Sequence, residues 1–399
     1  MIDSLVRGVP YYIVFIVLLM IYSKYKIIIS RQKYVCSNIL LLNKRYLYEQ
    51  KRRQLLNYAY FVLLIFFGLR GYVYTDFVNY KPFFDMLDGF NNLPEILLLK
   101  GWEPGFIVYA AICKSLVPNY FVWNIISTVI DLFLLYKILE RYSNNHLLSL
   151  MIFFVIGSTA LEFNVLRNAK AIFLFLYALR YIEERKIWKY CAIIGIACLF
   201  HISSLLFFPL YLVLHKRWPR WLLWSIYIGG AMIMFFHIGI VSDIISLIPF
   251  AEGSRTEYLA GSLERAGAYS SFFGNIERII TMLMVIILYH KLSDTSVGNY
   301  MFINMYVLLY GTFTICSESV VMVQRFQYMF IASFWILYPL LIEYAKKNKN
   351  QLIYLFIVAL LSMKLILMAA DPNLKYENVI TGIGDFDAKV NYVEQNLGK

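Results

Sequence analysis

Apolar blocks recur along the chain, each about 18–25 residues long, and short polar stretches separate them. A helix needs roughly 20 apolar residues to cross the hydrocarbon core of a bilayer. The pattern therefore predicts an all-α, polytopic integral membrane protein with about ten transmembrane helices. We expect residues 1–370 to form a single integral membrane domain and residues 371–399 to form a polar C-terminal tail.

The most basic polar stretch runs from residue 30 to residue 53 and sets the predicted topology. The positive-inside rule places it in the cytoplasm, which leaves the N-terminus outside. Alternation of the following spans then puts residues 70–104 and 249–274 in outer-face loops. The first loop is too polar to span the membrane and is rich in Tyr and Trp, so we expect interfacial helices there.

An apolar run from residue 190 to residue 214 contains His201 near its middle. One straight span would place the basic clusters at 215–220 and 346–349 outside, whereas a hairpin that turns near His201 keeps both inside. Irregular backbone at membrane depth occurs where protein buries it or where it lines a wet cavity. We therefore predict a re-entrant hairpin with His201 at its tip, towards the outer side.

The net charge of +12 does not alter the predicted fold class. The cations cluster between apolar blocks, where they act as a topology signal. No nucleic-acid partner is expected. None of the five cysteines forms a CxxC pair, and most lie in apolar segments, so we interpret them as packing residues. We expect no metal site and no cofactor.

Five ionisable residues from separate places in the sequence fall in the predicted outer half of the membrane: Asp76, Glu103, Arg167, His201 and Arg325. Charges in such places are costly and are functional candidates by default. Arginines bind phosphate bidentately, and a carboxylate or histidine can take a proton from an attacking hydroxyl. The set suits a reaction on a lipid phosphate or pyrophosphate carrier.

Simpler explanations stand beside this one. Arg167 and Arg325 could extend to the lipid head groups from the ends of spans. His201 could be a core histidine with a backbone partner, and Asp76 and Glu103 could be solvated loop carboxylates. The residues alone leave these alternatives open.

Five short motifs follow one another in these segments. They are Thr75-Asp76 with Tyr80, Trp102-Glu103-Pro104-Gly105-Phe106, Leu166-Arg167, Phe200-His201-Ile202-Ser203-Ser204 and Arg325-Phe326. In this order and spacing the set resembles the EpsG family of Wzy-type polysaccharide polymerases. The chain departs from the family pattern at Asn168, where Gln is usual, and at Tyr74-Thr75, where Gly usually precedes the Asp motif.

The resemblance implies a GT-C-like membrane fold and a glycosyltransferase of the bacterial cytoplasmic (inner) membrane. The implied reaction is an inverting, metal-independent glycosyl transfer on the outer face. Its donor is a growing glycan on undecaprenyl pyrophosphate, and its acceptor is a lipid-linked oligosaccharide repeat unit. The product is a capsule, an exopolysaccharide or an O-antigen, and a chain-length regulator is a candidate partner.

The resemblance also suggests roles for the candidate residues. Arg167, Arg325 and Lys170 are expected to bind the pyrophosphate, with His201 beside it. Asp76 or Glu103 is expected to activate the acceptor hydroxyl, with His201 as a further candidate base. A flippase for lipid-linked oligosaccharide and an outer-face glycan ligase or transferase remain alternative functions.

Overall fold

In the computed structural model the chain is described over residues 2–35, 42–98, 101–236, 238–240, 272–293 and 297–397. These residues form α-helices, one π-helix, short 3₁₀ turns and two isolated β-bridges, and no strand. The all-α fold class is therefore confirmed. Residues 249–271, which belong to the second predicted outer loop, lie outside the described ranges.

The helices of the first half are α1 Ile2–Val35, α2 Leu42–Gly68, α3 Phe77–Met86, α4 Leu93–Leu97, α5 Pro104–Leu116, α6 Tyr120–Tyr142, α7 His146–Val155, α8 Leu166–Glu183, α9 Ile187–Phe200 and α10 Leu210–Val213. Those of the second half are α11 Arg220–Phe236, α12 Phe272–Ser293, α13 Val297–Ile315, α14 Val320–Phe330, α15 Ala332–Lys347, α16 Gln351–Ala370 and α17 Phe386–Leu397. Residues Ala160–Asn164 form the π-helix, and Ile202–Phe207 form a 3₁₀ helix.

Three of the described helices contain stretches long and apolar enough to cross a membrane: Arg7–Gln32, Tyr120–Tyr142 and Gln351–Ala370. Helices α14 and α15 form a fourth if their bent pair, with a 57° angle, counts as one span. Five further apolar helices are shorter, at 10–17 residues. These helices are compatible with an integral membrane protein, and the number of about ten spans stays a prediction.

The chain divides into two compact units. The first combines Met1–Leu179, Trp188–Phe208 and Leu361–Lys399, and the second combines Arg180–Ile187 and Pro209–Leu360. The first unit is therefore built from three separate stretches of chain. It contains four of the five candidate residues of the predicted outer site, and Arg325 belongs to the second unit.

One end of the first unit gathers the start of α1, the end of α2 and the residues after α16. The Tyr11 hydroxyl donates to the Leu374 carbonyl at 2.8 Å. Tyr376 stacks on Phe66 with ring centroids 4.4 Å apart, and its hydroxyl donates to the Phe66 carbonyl at 2.7 Å. The C-terminal segment, residues 371–397, is thus packed against this end of the helices.

Backbone hydrogen bonds fix the same segment to the residues that follow α2. The Gly71 amide donates to the Glu377 carbonyl at 2.8 Å, and the Val379 amide donates to the Leu69 carbonyl at 2.8 Å. An isolated antiparallel bridge joins Arg70 and Asn378. Main-chain groups that would otherwise need water as a partner are thereby satisfied within the protein.

The chain reverses at His201, where the sequence places the tip of the hairpin. Helix α9 ends at Phe200, and His201 has an extended backbone (φ −155°, ψ 122°) that begins the 3₁₀ helix. The Tyr190 hydroxyl then donates to the Phe207 carbonyl at 2.6 Å, across the turn. Phe207 also stacks on Phe175 of α8, with ring centroids 4.0 Å apart.

Arg325 lies in the middle of α14, whereas the sequence pattern places it at the end of a span. Helix α14 begins earlier because the Ser319 hydroxyl oxygen caps it by accepting from the Met322 amide at 3.4 Å. A serine in this position satisfies a backbone donor that has no partner within the helix.

Candidate functional site

The Trp102–Phe106 motif forms the entrance to α5. Glu103 is the N-cap residue with an extended backbone, and Pro104 follows at the first helical position, where its missing N–H is not needed. A Cβ on Gly105 would lie 2.6 Å from the Leu199 Cβ and 2.9 Å from the Leu199 carbonyl oxygen. Glycine therefore allows α5 to approach the end of α9, which brings the Ile202 amide to 3.4 Å from Glu103 Oε1.

Arg167, in the first turn of α8, contacts three consecutive residues of this entrance. Its Nη1 donates to the Gly101 carbonyl at 2.8 Å and to Glu103 Oε2 at 2.6 Å. Its guanidinium lies over the Trp102 ring, 4.6 Å from the centroid. Gly101 has φ +103°, a conformation that only glycine adopts readily. The guanidinium is thus held by an ion pair, a carbonyl and an aromatic face.

Tyr80 of α3 lies beside the same guanidinium and also within electrostatic reach of Asp76. Burial raises the pKa of Tyr80, and the charge of Asp76 raises it further. The phenol therefore stays protonated at neutral pH. The Arg167 Nε is buried and has no hydrogen-bond partner among the described residues.

Asn164 connects the Thr75-Asp76 motif to the segment that carries Arg167. Its side-chain oxygen accepts from the Thr75 hydroxyl at 2.9 Å and from the Asp76 amide at 3.0 Å. Asn164 is the last residue of the π-helix, three positions before Arg167. Single π-helical turns occur often at functional sites. The half-buried Asp76 is therefore fixed at the start of α3 by the same stretch that leads into α8.

His201 accepts hydrogen bonds at Nδ1. The Ser203 amide donates to this nitrogen at 3.2 Å, and the Ser203 hydroxyl lies 2.9 Å from it. Because a backbone amide can only donate, the neutral imidazole carries its proton on Nε2. In this tautomer the second ring nitrogen of His201, Nε2, is a hydrogen-bond donor.

An aromatic cluster packs against these residues. Trp102 stacks on Phe83 with ring centroids 4.0 Å apart, and Phe84 stacks on Trp123 with centroids 4.9 Å apart. Phe106 joins the same cluster, so side chains of α3, α5 and α6 pack together. Rigid aromatic packing restricts the rotamers of Trp102 and keeps the Arg167 platform in place.

A family model described as the EpsG family matches residues 53–378, which is most of the chain. The chain belongs to the EpsG family. Neither a curated protein nor a solved structure matches it. EpsG is a family of Wzy-type polymerases, so the resemblance inferred from the sequence motifs is confirmed. All five motifs of this EpsG chain lie inside the matched range, and residues 379–399 lie beyond it.

Lys170, which the sequence groups with Arg167 at the pyrophosphate, lies elsewhere in this EpsG chain. Its side chain is 4% exposed, pairs with the fully buried Asp131 of α6 and donates to the Ser127 carbonyl at 3.2 Å. Lys170 is one helical turn deeper in the bundle than Arg167, where α6 supplies the counter-charge. The structure thus does not bring Lys170 to the Arg167 site.

The pair of Lys170 and Asp131 belongs to a buried polar network. Arg70 donates to Thr128 Oγ1 at 3.2 Å and to Asn124 Oδ1 at 3.3 Å. Thr128 in turn donates to Glu162 at 3.4 Å. Asp131 and Glu162 are not among the predicted site residues, although Asp131 stands within an apolar run of α6. An ionisable residue in an apolar run is a functional candidate by default, so the sequence alone could have pointed to Asp131.

In the second unit Arg325 is exposed on α14. Arg278 of α12, which is not among the predicted residues, is buried there instead. Its Nη2 donates to Gln327 Oε1 at 2.9 Å, and its guanidinium lies 3.8 Å from the centroid of the Phe313 ring. In the second unit α14 therefore carries the exposed Arg325, and the buried Arg278 of α12 contacts the same helix through Gln327.

Proposed function

We propose that this EpsG protein polymerises undecaprenyl-pyrophosphate-linked oligosaccharide repeat units into a surface polysaccharide. The reaction is an inverting, metal-independent glycosyl transfer at the outer face of the bacterial cytoplasmic membrane. The observation that carries the proposal is the Arg167 guanidinium, fixed on Trp102 by Glu103 and Gly101 beside the Asp76 segment. Family membership supports the class of reaction.

Arg167 stabilises the leaving group. When the bond between the anomeric carbon and the pyrophosphate oxygen breaks, negative charge grows on the lipid pyrophosphate. A preorganised cation stabilises that charge without reorganising during the reaction. The partly exposed guanidinium of Arg167 binds a phosphate oxygen, and the His201 Nε2–H is a second donor for the same group. Arg325 remains a candidate ligand on the ground of its sequence motif.

Asp76 is assigned as the general base and Glu103 as the residue that positions Arg167. Both oxygens of Glu103 have partners, because Oε2 accepts from Arg167 and Oε1 accepts from the Ile202 amide. Its charge therefore serves mainly to hold the guanidinium. Asp76 takes the proton of the acceptor hydroxyl while the new bond to the anomeric carbon forms. A positioned base contributes about 10²–10⁴-fold to such a step.

The test uses the full-length protein in lipid nanodiscs with the lipid-linked repeat unit isolated from the native host. The expected product is a ladder of lipid-linked oligomers, whose new glycosidic bonds have the anomeric configuration opposite to that of the donor pyrophosphate bond. Proton NMR of the released polymer gives that configuration. A ladder with retained configuration would contradict the inverting mechanism.

The alternative function as a flippase is tested with the same protein in proteoliposomes. Movement of lipid-linked repeat units between leaflets without any polymer would show a flippase and contradict the polymerase proposal. Polymer formation in nanodiscs, where both leaflets are accessible and no transport is needed, would separate catalysis from transport.

A further inference from the structure

A cavity of about 710 Å³ lies between the residues that follow α2 and the C-terminal segment. Tyr72, Tyr74 and Phe77 line one side, and residues of α17 with its preceding turn line the other, including Asp385 and Tyr392. All of these residues belong to the first unit. The volume lies within the range of about 300–1,000 Å³ that is typical of small-molecule sites.

The cavity is lined by sequence neighbours of the assigned base. Tyr74 and Phe77 lie on either side of the Thr75-Asp76 pair in the sequence, and both line the cavity. Tyr74 has φ +70°, a left-handed conformation that is costly for a residue with a large side chain. Its amide donates to the Asn373 carbonyl at 3.1 Å, so the C-terminal segment holds it in this conformation.

The lining favours a hydroxyl-rich, largely uncharged ligand. Aromatic rings of Tyr72, Tyr74 and Tyr392 offer flat surfaces for the C–H faces of sugar rings. The charged groups of the lining are nearly balanced, since Arg7, Lys375 and Lys389 face Glu377 and Asp385. Lys389 and Glu377 already neutralise one another at 2.6 Å. A phosphate group would find little net attraction here, whereas sugar hydroxyls can bind to donors and acceptors alike.

The wall of the cavity formed by Glu377, Gly384 and α17 is held in place by several contacts. Glu377 accepts from the Gly384 amide at 3.2 Å as well as from Lys389. Phe386 packs edge-on against Tyr72 and Phe77, with ring centroids 5.2 and 6.1 Å apart. These contacts hold α17 over the cavity and give its side chains defined positions.

We propose that this cavity binds the non-reducing-end sugars of the acceptor oligosaccharide and directs the terminal hydroxyl to Asp76. The identity of the ligand rests on the proposed polymerase function. The wall formed by residues 384–393 lies beyond the residues that match the family model. This wall selects the sugar that the polymerase accepts.

The probe is the free oligosaccharide released by mild acid from the lipid-linked repeat unit of the native host. Binding to the full-length protein in nanodiscs is measured by saturation-transfer difference NMR. Tyr392→Ala and Asp385→Asn are the test variants, because both residues line the cavity and neither lies in the Arg167 site. Tyr58→Ala is the matched control, since Tyr58 is an exposed tyrosine on α2 outside the cavity.

The expected result is binding to the wild type and to Tyr58→Ala, with affinity lower by about tenfold in Tyr392→Ala. In the polymerisation assay Tyr392→Ala is expected to raise KM for the acceptor while kcat stays within about threefold. Equal binding by Tyr392→Ala, Asp385→Asn and wild type would overturn the assignment of the cavity, and so would a lack of binding by folded wild type.

Failure of the proposed polymerase function gives a different outcome. If the oligosaccharide binds in a Tyr392-dependent way but no polymer forms, the cavity is a glycan site and the polymerase proposal fails. If polymer forms at normal KM in both cavity variants, the polymerase proposal stands and the cavity assignment fails.

Discussion

Glu103 Oε2 and Arg167 Nη1 lie 2.6 Å apart, although 64 positions separate the two residues in the sequence. The pair joins the entrance of α5 to the first turn of α8. Both side chains are largely shielded from water, so the attraction is screened less than in a surface pair. The contact fixes the guanidinium, and in the proposed mechanism this cation stabilises the charge of the leaving group.

Arg167→Ala is expected to lower the rate of polymer formation by about 10²–10³, the usual cost of losing one preorganised donor to a developing anion. Arg167→Lys is expected to restore little, because an ammonium lacks the planar fork that contacts Gly101, Glu103 and a phosphate together. The initial rate of ladder formation at equal protein amounts measures both effects. Arg141→Ala, at an exposed position on α6, serves as the control and should retain wild-type rates.

Asp76→Asn and Glu103→Gln separate the base from the positioning residue. We expect Asp76→Asn to reduce kcat by about 10²–10⁴, because the acceptor proton then has no base. Glu103→Gln keeps an oxygen that can accept from Arg167, so a loss of only about tenfold is expected. The rates of the two purified variants on the same substrate show which carboxylate is the base. The reverse order of the two losses would make Glu103 the base.

Asn164→Ala is expected to lower kcat by about tenfold to a hundredfold without changing the yield of folded protein, because Thr75 and Asp76 lose their shared acceptor. Asn164→Asp keeps an acceptor oxygen and adds a negative charge near Asp76. It should restore much of kcat and move the acidic limb of the pH–rate profile to higher pH, since a like charge favours the protonated form. An unchanged profile with full activity in both variants would contradict a positioning role.

Lys170→Ala is expected to destabilise the protein by about 3–5 kcal/mol, because it leaves the Asp131 carboxylate buried without its counter-charge. The double variant Lys170→Met with Asp131→Leu removes both charges and should recover most of the stability. Thermal unfolding in detergent measures these changes. If the double variant folds well but makes no polymer, the pair of Lys170 and Asp131 has a role in the reaction beyond stability.

Gly105→Ala is expected to impair the site through packing. The added methyl group would meet the Leu199 backbone and side chain, so α5 and the end of α9 must separate. Gly195→Ala is the matched control within α9, where an added Cβ meets no atom within 4 Å. Polymerisation rates and thermal unfolding of the two variants are compared. Equal behaviour would show that the close approach is dispensable.

The long apolar helices were predictable from the sequence because length and composition specify them directly. The apolar pattern predicts spans at about Tyr120–Leu139 and Leu352–Ala370, and the helices Tyr120–Tyr142 and Gln351–Ala370 begin within one residue of those positions. The turn at His201 was also predictable, because the distribution of basic residues required a reversal. The sequence grouped Glu103 and Arg167 on one predicted side of the membrane, but it did not predict their ion pair.

Other features depended on partners that the sequence does not identify. The direction of the Lys170 side chain is decided by Asp131 on another helix, and spacing within α8 could not reveal it. Asn164 acts through one oxygen that accepts from two residues almost 90 positions away. The C-terminal segment is held partly by backbone hydrogen bonds, which leave no pattern in the side chains.

The contact between Tyr376 and Phe66 joins residues 310 positions apart, and it bears on how the protein is made. At about 5–20 residues per second, a ribosome needs roughly 15–60 s to synthesise the chain between them. During that time the residues after α2 lack the segment that pairs with them. Nascent chains that stop before residue 371 lack one wall of the cavity lined by Tyr74 and Phe77, so only chains translated through this segment can complete it.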